Sequence, residues 1–442
     1  MLTNQNAYKI KSTNGVRGLR VLNPCAMAAE GKEIVIVGAG MGGLVAATAL
    51  CRLAEERRLR VKVTILERDE SSSSQDESFQ YNHAMSITAD SGAIDVLKRL
   101  GLFREASEKQ THVSSFFLAD TDGKSDRDLY VVRDTGLRLP RLSFRRLLLD
   151  RIPPEATIEW GCAVESLADT PRGVELSLRG GRTVRADIVI AADGHHSAVR
   201  ASLVPSECPS FAGAALLGGV FSGYVPRMFQ HRHGTMFGPR NSIWMAHDRE
   251  DAIAWRIAFE TVKPLADSGD ALHDRAADLA AQFPAAVREI VTGTPSDQLS
   301  IADCYDKMPH RSVLGGRVIF IGDAAHPIAL LGGIGANLAI VDAWRVADAL
   351  TDNNFTIGDA ARAFDDAMVK RGSAAVKKGR KMMKESFGLP PLAWTMRAVR
   401  LRALNMFVNR PVLFFGIVGA VIAAAAGGVA AIVLHGRQRI ML

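Results

Sequence analysis

A chain of 442 residues can form two or three core-bearing units, or one large α/β domain with an insertion. Its five cysteines (Cys25, Cys51, Cys162, Cys208, Cys304) are scattered and odd in number, which argues against a disulfide framework and for a reducing compartment. The net charge of +7 is uneven: residues 370–442 carry 13 basic residues and one acid, which leaves −5 for the rest, so an anionic partner is expected for the tail and not for the body.

In chain order, residues 1–31 read as a disordered leader. Lys9, Lys11, Arg17 and Arg20 occur there with no acid before Glu30, no apolar run supports secretion, and Met27 is an alternative start. A short buried strand over residues 32–38 leads into Gly38-Ala39-Gly40-Met41-Gly42-Gly43, and a helix is expected over 44–57. A second strand over 61–66 ends in Glu67. This is the GxGxxG opening of a βαβ unit with its terminal acid. Gly38 permits the tight turn, Gly40 lets the backbone approach a pyrophosphate, and Gly43 lets helix and strand pack. Glu67 would hold the ribose hydroxyls of an adenosine half. The spacing leaves FAD and NAD equally open.

Residues 84–102 are expected to be helical, as is the stretch that Arg141 opens. Residues 157–178 suggest a pair of strands, and 183–190 another, which leads to Asp193-Gly194. A carboxylate thus again follows a strand. From 211 to 259 the pattern is β-like, with strands expected over 218–225 and 242–247. Tyr224, Trp244 and Trp255 supply aromatic surface for one wall of an apolar pocket. Residues 270–291 read as one helix. The apolar run 318–321 then delivers Gly322-Asp323-Ala324-Ala325-His326-Pro327 and a glycine-rich segment through Gly335-Ala336-Asn337. Asp323 can accept hydrogen bonds from the ribityl hydroxyls of a flavin. A helix over 337–350 would aim its amide end at the pyrimidine edge, where a reduced flavin is negative. Residues 360–385 form a further, basic helix. His231 and His233 lack a third ligand, so no metal site is expected.

Residues 412–434 carry no charge, about 34 Å of helix at ~1.5 Å per residue, against a bilayer core of roughly 30 Å. Arg397, Arg400, Arg402 and Arg410 precede this run and Arg437 and Arg439 follow it. The expectation is a single C-terminal transmembrane helix over 411–434, after a basic segment over 386–410 and before a short tail over 435–442. The heavier basic flank puts the catalytic body on the cytosolic side of the membrane. No nucleic-acid-binding module is recognisable.

Three motifs in fixed order, GxGxxG at 38–43, Asp193-Gly194 and GDAAHP at 322–327, resemble the FAD-dependent single-component aromatic hydroxylases, the class A flavoprotein monooxygenases of salicylate-hydroxylase type. The resemblance spans residues 32–385. It implies an α/β fold: a glutathione-reductase-type FAD-binding Rossmann domain in two parts (32–205, with some substrate-domain strands, and 301–385, with C-terminal helices) and an inserted, mainly β substrate domain (206–300). By the same resemblance, Asp193, Gly194 and Arg200 serve FAD and transient NAD(P)H, Arg141 touches FAD, and Gly335 and Ala336 lie at the flavin. Arg200 and Tyr224 are the active-site candidates.

The implied reaction consumes NAD(P)H and dioxygen and hydroxylates or epoxidises a lipophilic polyketide, terpenoid or aromatic molecule through a flavin C4a-hydroperoxide, in secondary metabolism. The alternative is a flavin-dependent reductase of isoprenoid double bonds, similar to geranylgeranyl reductases. Ala329 and Leu330 stand where the family carries a proline before the glycine pair, and Ile334 where a polar residue is common.

Overall fold

Ile34, Val35, Ile36 and Val37 are β-branched and buried without alternation, the composition of a strand covered on both faces. They form the middle of a parallel sheet. The computed structural model describes residues 28–411, 413, 417 and 418, except 73–83, 112, 122–125, 134–135, 250, 266–268, 330–332 and 388–390. The expected leader up to residue 27, Leu330 and most of the expected membrane span lie outside the described residues.

The chain opens with β1 (Lys32–Val37), α1 (Met41–Arg57), β2 (Val61–Leu66), β3 (Ala84–Ile87), α2 (Ala93–Arg99) and α3 (Phe103–Glu108). It continues through β4 (Ser115–Thr121), β5 (Asp126–Arg133), β6 (Leu137–Pro140), α4 (Arg141–Asp150) and β7 (Ala156–Glu159). Next come β8 (Val164–Thr170), β9 (Gly173–Leu178), β10 (Thr183–Ala186), β11 (Ile188–Ala191) and α5 (Ala198–Leu203). Four long strands and two helices follow: β12 (Ser210–Ser222), β13 (Arg232–Phe237), β14 (Asn241–Arg249), β15 (Ala252–Glu260), α6 (Asp270–Ala280) and α7 (Ala285–Thr292). The remainder is β16 (Ser300–Asp306), β17 (Val318–Phe320), α8 (Gly335–Leu350), α9 (Ile357–Ser386) and α10 (Pro391–Asn409).

The parallel sheet has the order β17-β11-β1-β2-β7. Val37 pairs with both Leu66 and Ala191, and Ala191 with Phe320, so four strands end level. The loops that follow them, which begin at Gly38, Glu67, Ala192 and Ile321, therefore leave one carboxyl edge, where open α/β sheets bind ligands. Helices α1 and α8 pack together beside this sheet. Each fully buried Val, Leu or Ile of this core contributes about 1.5–3 kcal/mol.

The second sheet, β16-β12-β15-β14-β13-β4-β5, is mostly antiparallel. Its pleat sorts β15 into two faces. Ile253, Trp255, Ile257 and Phe259 pack with Leu272, Ala276, Val287 and Ile290 of α6 and α7. Ala254, Arg256 and Ala258 point the other way, and Ala258 and Leu216 of β12 meet Ala329 of the loop after β17. That second face is thus turned toward the carboxyl edge of the parallel sheet.

Several expectations change in detail. The stretch 84–102 is a strand and only then a short helix, because residues 84–87 pair with β6. The stretch 270–291 is two helices, since Pro284 lacks an N–H to continue the first and caps the second. Ser300–Asp306 joins the substrate sheet. Among the described residues no helix is long and apolar enough to cross a membrane.

Candidate functional site

At the first loop, Gly38 has φ +103°, and a Cβ there would stand 2.7 Å from the Ala192 carbonyl oxygen. A Cβ on Gly43 would overlap the Gly38 carbonyl, so glycine is the only residue that lets α1 start this close to β1. Gly40 has open space in front of it, where a pyrophosphate can approach. Glu67 is buried, with Oε2 accepting the Ala39 N–H at 2.5 Å and Oε1 the Asp69 N–H at 3.1 Å. It thereby ties the second loop to the first. Arg145, on α4, donates from Nε to the Ala39 carbonyl at 3.1 Å and lies 3.6 Å from Asp69. Its place one turn after Arg141 could have flagged it.

The third loop carries Asp193. Its Oδ2 accepts the Val199 N–H at 3.1 Å, while Oδ1 is buried without a hydrogen-bond partner. Burial pushes this carboxyl above its usual range, against hydrogen bonds from Ser197 and Val199 and the nearby charge of Arg200. Gly194 follows at φ +80°, a turn that favours glycine.

The fourth loop carries Asp323, also raised by burial and partly offset by His326, Arg141 and Arg200. Helix α8 begins at Gly335, and a Cβ there would lie 3.5 Å from Asp323 Oδ1. With Ala336 next in the chain, the positive end of a 16-residue helix stands beside the carboxylate.

Arg200 proves to be a brace between these two loops. Buried to 3% exposure, its guanidinium donates to the carbonyls of Ala324 (2.8 Å), Asp323 (3.3 Å) and His195. A guanidinium committed to three carbonyls has little left to offer a substrate, so its expected active-site role gives way to a positioning one.

Behind the loop lies a buried charge cluster absent from the sequence reading. Asp342 of α8 accepts from the Gly322 N–H (3.1 Å), lies 2.6 Å from His326 Nε2, and accepts from Arg371 Nη2 of α9 (2.8 Å). Burial opposes the charge on His326, but Asp342 outweighs it and holds this imidazole above its ordinary value. Asp342 is held below its own, because His326 and Arg371 outweigh its burial.

Across the cleft, Arg256 is the lone charge inside a nine-residue strand that is otherwise apolar up to its terminal Glu260. Burial, with Arg141 nearby, lowers its guanidinium to about 10. Arg141 opens α4 as expected, and its charge is felt by both Asp323 and Arg256. The interruption of an apolar strand by one arginine was the signal that could have singled out Arg256. Beside it in register stands Trp244, with the Arg138 guanidinium 4.7 Å from its ring centre.

Two aromatic expectations are corrected. Trp255 faces α6 and α7, with Nε1 donating to Thr294 Oγ1 at 2.9 Å. Tyr224 is 78% exposed, because β12 ends at Ser222 and the chain turns outward through Gly223. It does not join the site.

Glycines that leave room for a pyrophosphate, a buried carboxylate oxygen with unused accepting capacity, and a helix amide end beside a second carboxylate fit FAD. The mostly apolar sheet face lies opposite, with Ala258 and Leu216 against Ala329. Such an arrangement defines a flavin-binding α/β fold with a second sheet facing the cofactor edge. The chain belongs to the FAD binding domain family, which it matches over residues 32–377.

Among its relatives, Monooxygenase cfoF of Aspergillus candidus is 25% identical over 77% of this chain and 88% of that protein. The 3-amino-4-hydroxybenzoate 2-monooxygenase of Streptomyces cremeus is 27% identical over 81% of this chain and 88% of its own length. In fold, the chain is similar to Klebsiella pneumoniae HpxO complexed with FAD and uric acid, with a TM-score of 0.72 and 20% identity over 84% of this chain and 92% of that one. The protein is an FAD-dependent monooxygenase of the class A, salicylate-hydroxylase-like type, and NAD(P)H is the typical co-substrate of this family.

Proposed function

We propose that the enzyme inserts one oxygen atom of dioxygen into a lipophilic, electron-rich small molecule of secondary metabolism, with the other atom leaving as water and NAD(P)H supplying two electrons. The observation that carries this reading is the flavin-side face of the substrate sheet, where Leu216, Val220, Trp244, Ala254 and Ala258 surround Arg256. FAD supplies the redox and oxygen chemistry when bound.

The chain's own residues do the rest. Asp193 and Asp323 accept hydrogen bonds, Arg200 and Asp342 keep their loops in register, and the apolar face excludes water from the reacting position. Arg256, with Arg141 near it, favours a substrate oxygen that carries negative charge, which activates an aromatic ring toward oxygen transfer. A C-terminal membrane tether over 411–434, with the catalytic body on the cytosolic side, is part of the same proposal. Its support is the uncharged run and its arginine flanks.

The test is turnover under oxygen-18 gas with extracts of cells that lack this chain as the substrate source. One labelled oxygen in the product, with equimolar NAD(P)H consumption, is expected. Product formation that persists without oxygen would defeat the reading.

A further inference from the structure

Helix α10 has two unlike sides. Inward, Leu401 packs against Leu118 and Phe237. Asn405 Oδ1 accepts the Val131 N–H at 3.0 Å, and Asn409 Nδ2 donates to the Val131 carbonyl at 2.6 Å. Residues 401, 405 and 409 recur every four positions and so lie on one face. Thr235 pairs with both Trp244 and Leu118, and Phe237 lies two residues further along β13, so both α10 contacts belong to the sheet face that bears Trp244 and Arg256. Helix α10 therefore covers the β4–β13 end of the substrate face, away from Ala329.

Outward, Met396 (64%) and Val399 (60%) are exposed, and Arg400 and Arg410 stand on the same side. Bulky apolar side chains that share a face with arginines are costly in water and suit a bilayer interface, where the apolar groups insert and the guanidinium groups stay at the headgroups. Residues 386–442 contain six arginines and no acid, and the uncharged run 412–434 begins three residues after α10 ends. Charge and chain direction favour one occupant for this face, an anionic lipid surface.

We infer that α10 lies in the plane of an anionic bilayer and holds the substrate cleft against it, so that a lipophilic substrate reaches the flavin-side face from the membrane. This rests on the tether reading above but is separable from it. The tether fixes the protein to a membrane; α10 fixes which way the cleft faces.

The test uses the full chain in a Cys25→Ser, Cys162→Ser and Cys208→Ser background, with an environment-sensitive fluorophore on Ala403→Cys, at an exposed position of the outward face, or on Tyr224→Cys. Vesicles are phosphatidylcholine alone or with phosphatidylserine. The expected result is flotation with vesicles, plus a blue shift at position 403 that needs phosphatidylserine and is absent at 224. Replacing Arg400, Arg402 and Arg410 with Gln should abolish the shift while flotation persists.

Flotation without a shift at 403 overturns the inference and leaves the tether standing. No flotation overturns both. A shift that grows with protein concentration in the absence of vesicles assigns the face to a second copy and also overturns it.

Discussion

The two walls of the cleft are built in opposite ways. The cofactor wall spends its polar groups on itself: Glu67 closes the glycine loop, Arg200 braces two loops, and Asp342 gathers Gly322, His326 and Arg371. The substrate wall is apolar apart from Arg256 and a few small polar groups, and its residues come from β12, β14 and β15 in alternation. A wall of buried charges holds one large ligand in one pose. An apolar wall accepts whatever shape fills it, and Arg256 sets the chemistry of what enters.

That contrast breaks most readily at Asp342. Asp342→Ala strands the His326 and Arg371 charges and frees the loop that begins at Gly322, at a cost of about 3–5 kcal/mol. Thermal unfolding of the FAD-loaded protein should show it as a large fall in Tm. A fall of only a degree or two would mean the cluster is not what holds the loop.

Arg256→Met tests the other wall. It should leave FAD content nearly unchanged while lowering substrate-stimulated kcat/KM roughly 10- to 100-fold, the range of one lost charge-assisted hydrogen bond. Unchanged kcat/KM would make the arginine a packing residue. Loss of FAD would merge the two walls.

The pH dependence of stability sharpens the division further. His326 is raised above 6.5, so its contribution is complete below 6.5 and is lost as pH rises through the raised value. Asp342 is lowered below 3.8, so its contribution is complete above 3.8 and is lost as pH falls through the lowered value. The pair is fully stabilising between those two values. His326→Gln should flatten the alkaline fall in Tm. Tyr224→Phe, at an exposed position, should change neither Tm nor kcat/KM beyond about 0.5 kcal/mol, and a larger effect would return it to the site.

The cofactor wall was legible in sequence because its motifs are local. Strand, glycine loop and carboxylate follow one another within a few residues at Gly38, Asp193 and Asp323, and one sheet edge then assembles them. The arginines were harder. Arg200 was visible as part of a motif, but its role depends on carbonyls more than 100 positions away in the chain. Asp342 and Arg371 sit on two helices where an acid and a base read as ordinary surface residues.

The substrate wall was least legible, because pleat and register decide which of Trp244, Trp255 and Arg256 face the cleft. A one-residue change of parity reverses the answer. Tyr224 failed for the same kind of reason: the strand ends two residues before it.

The most direct test of the account is an FAD titration of the wild-type protein and Asp323→Ala, followed by flavin absorbance and by thermal unfolding. One FAD per chain is predicted for the wild type. The variant should remain folded with its FAD Kd raised at least about 10-fold, as expected when a carboxylate's hydrogen bonds to the cofactor are removed. Undiminished FAD affinity in a folded Asp323→Ala protein would contradict the placement of the cofactor at this sheet edge.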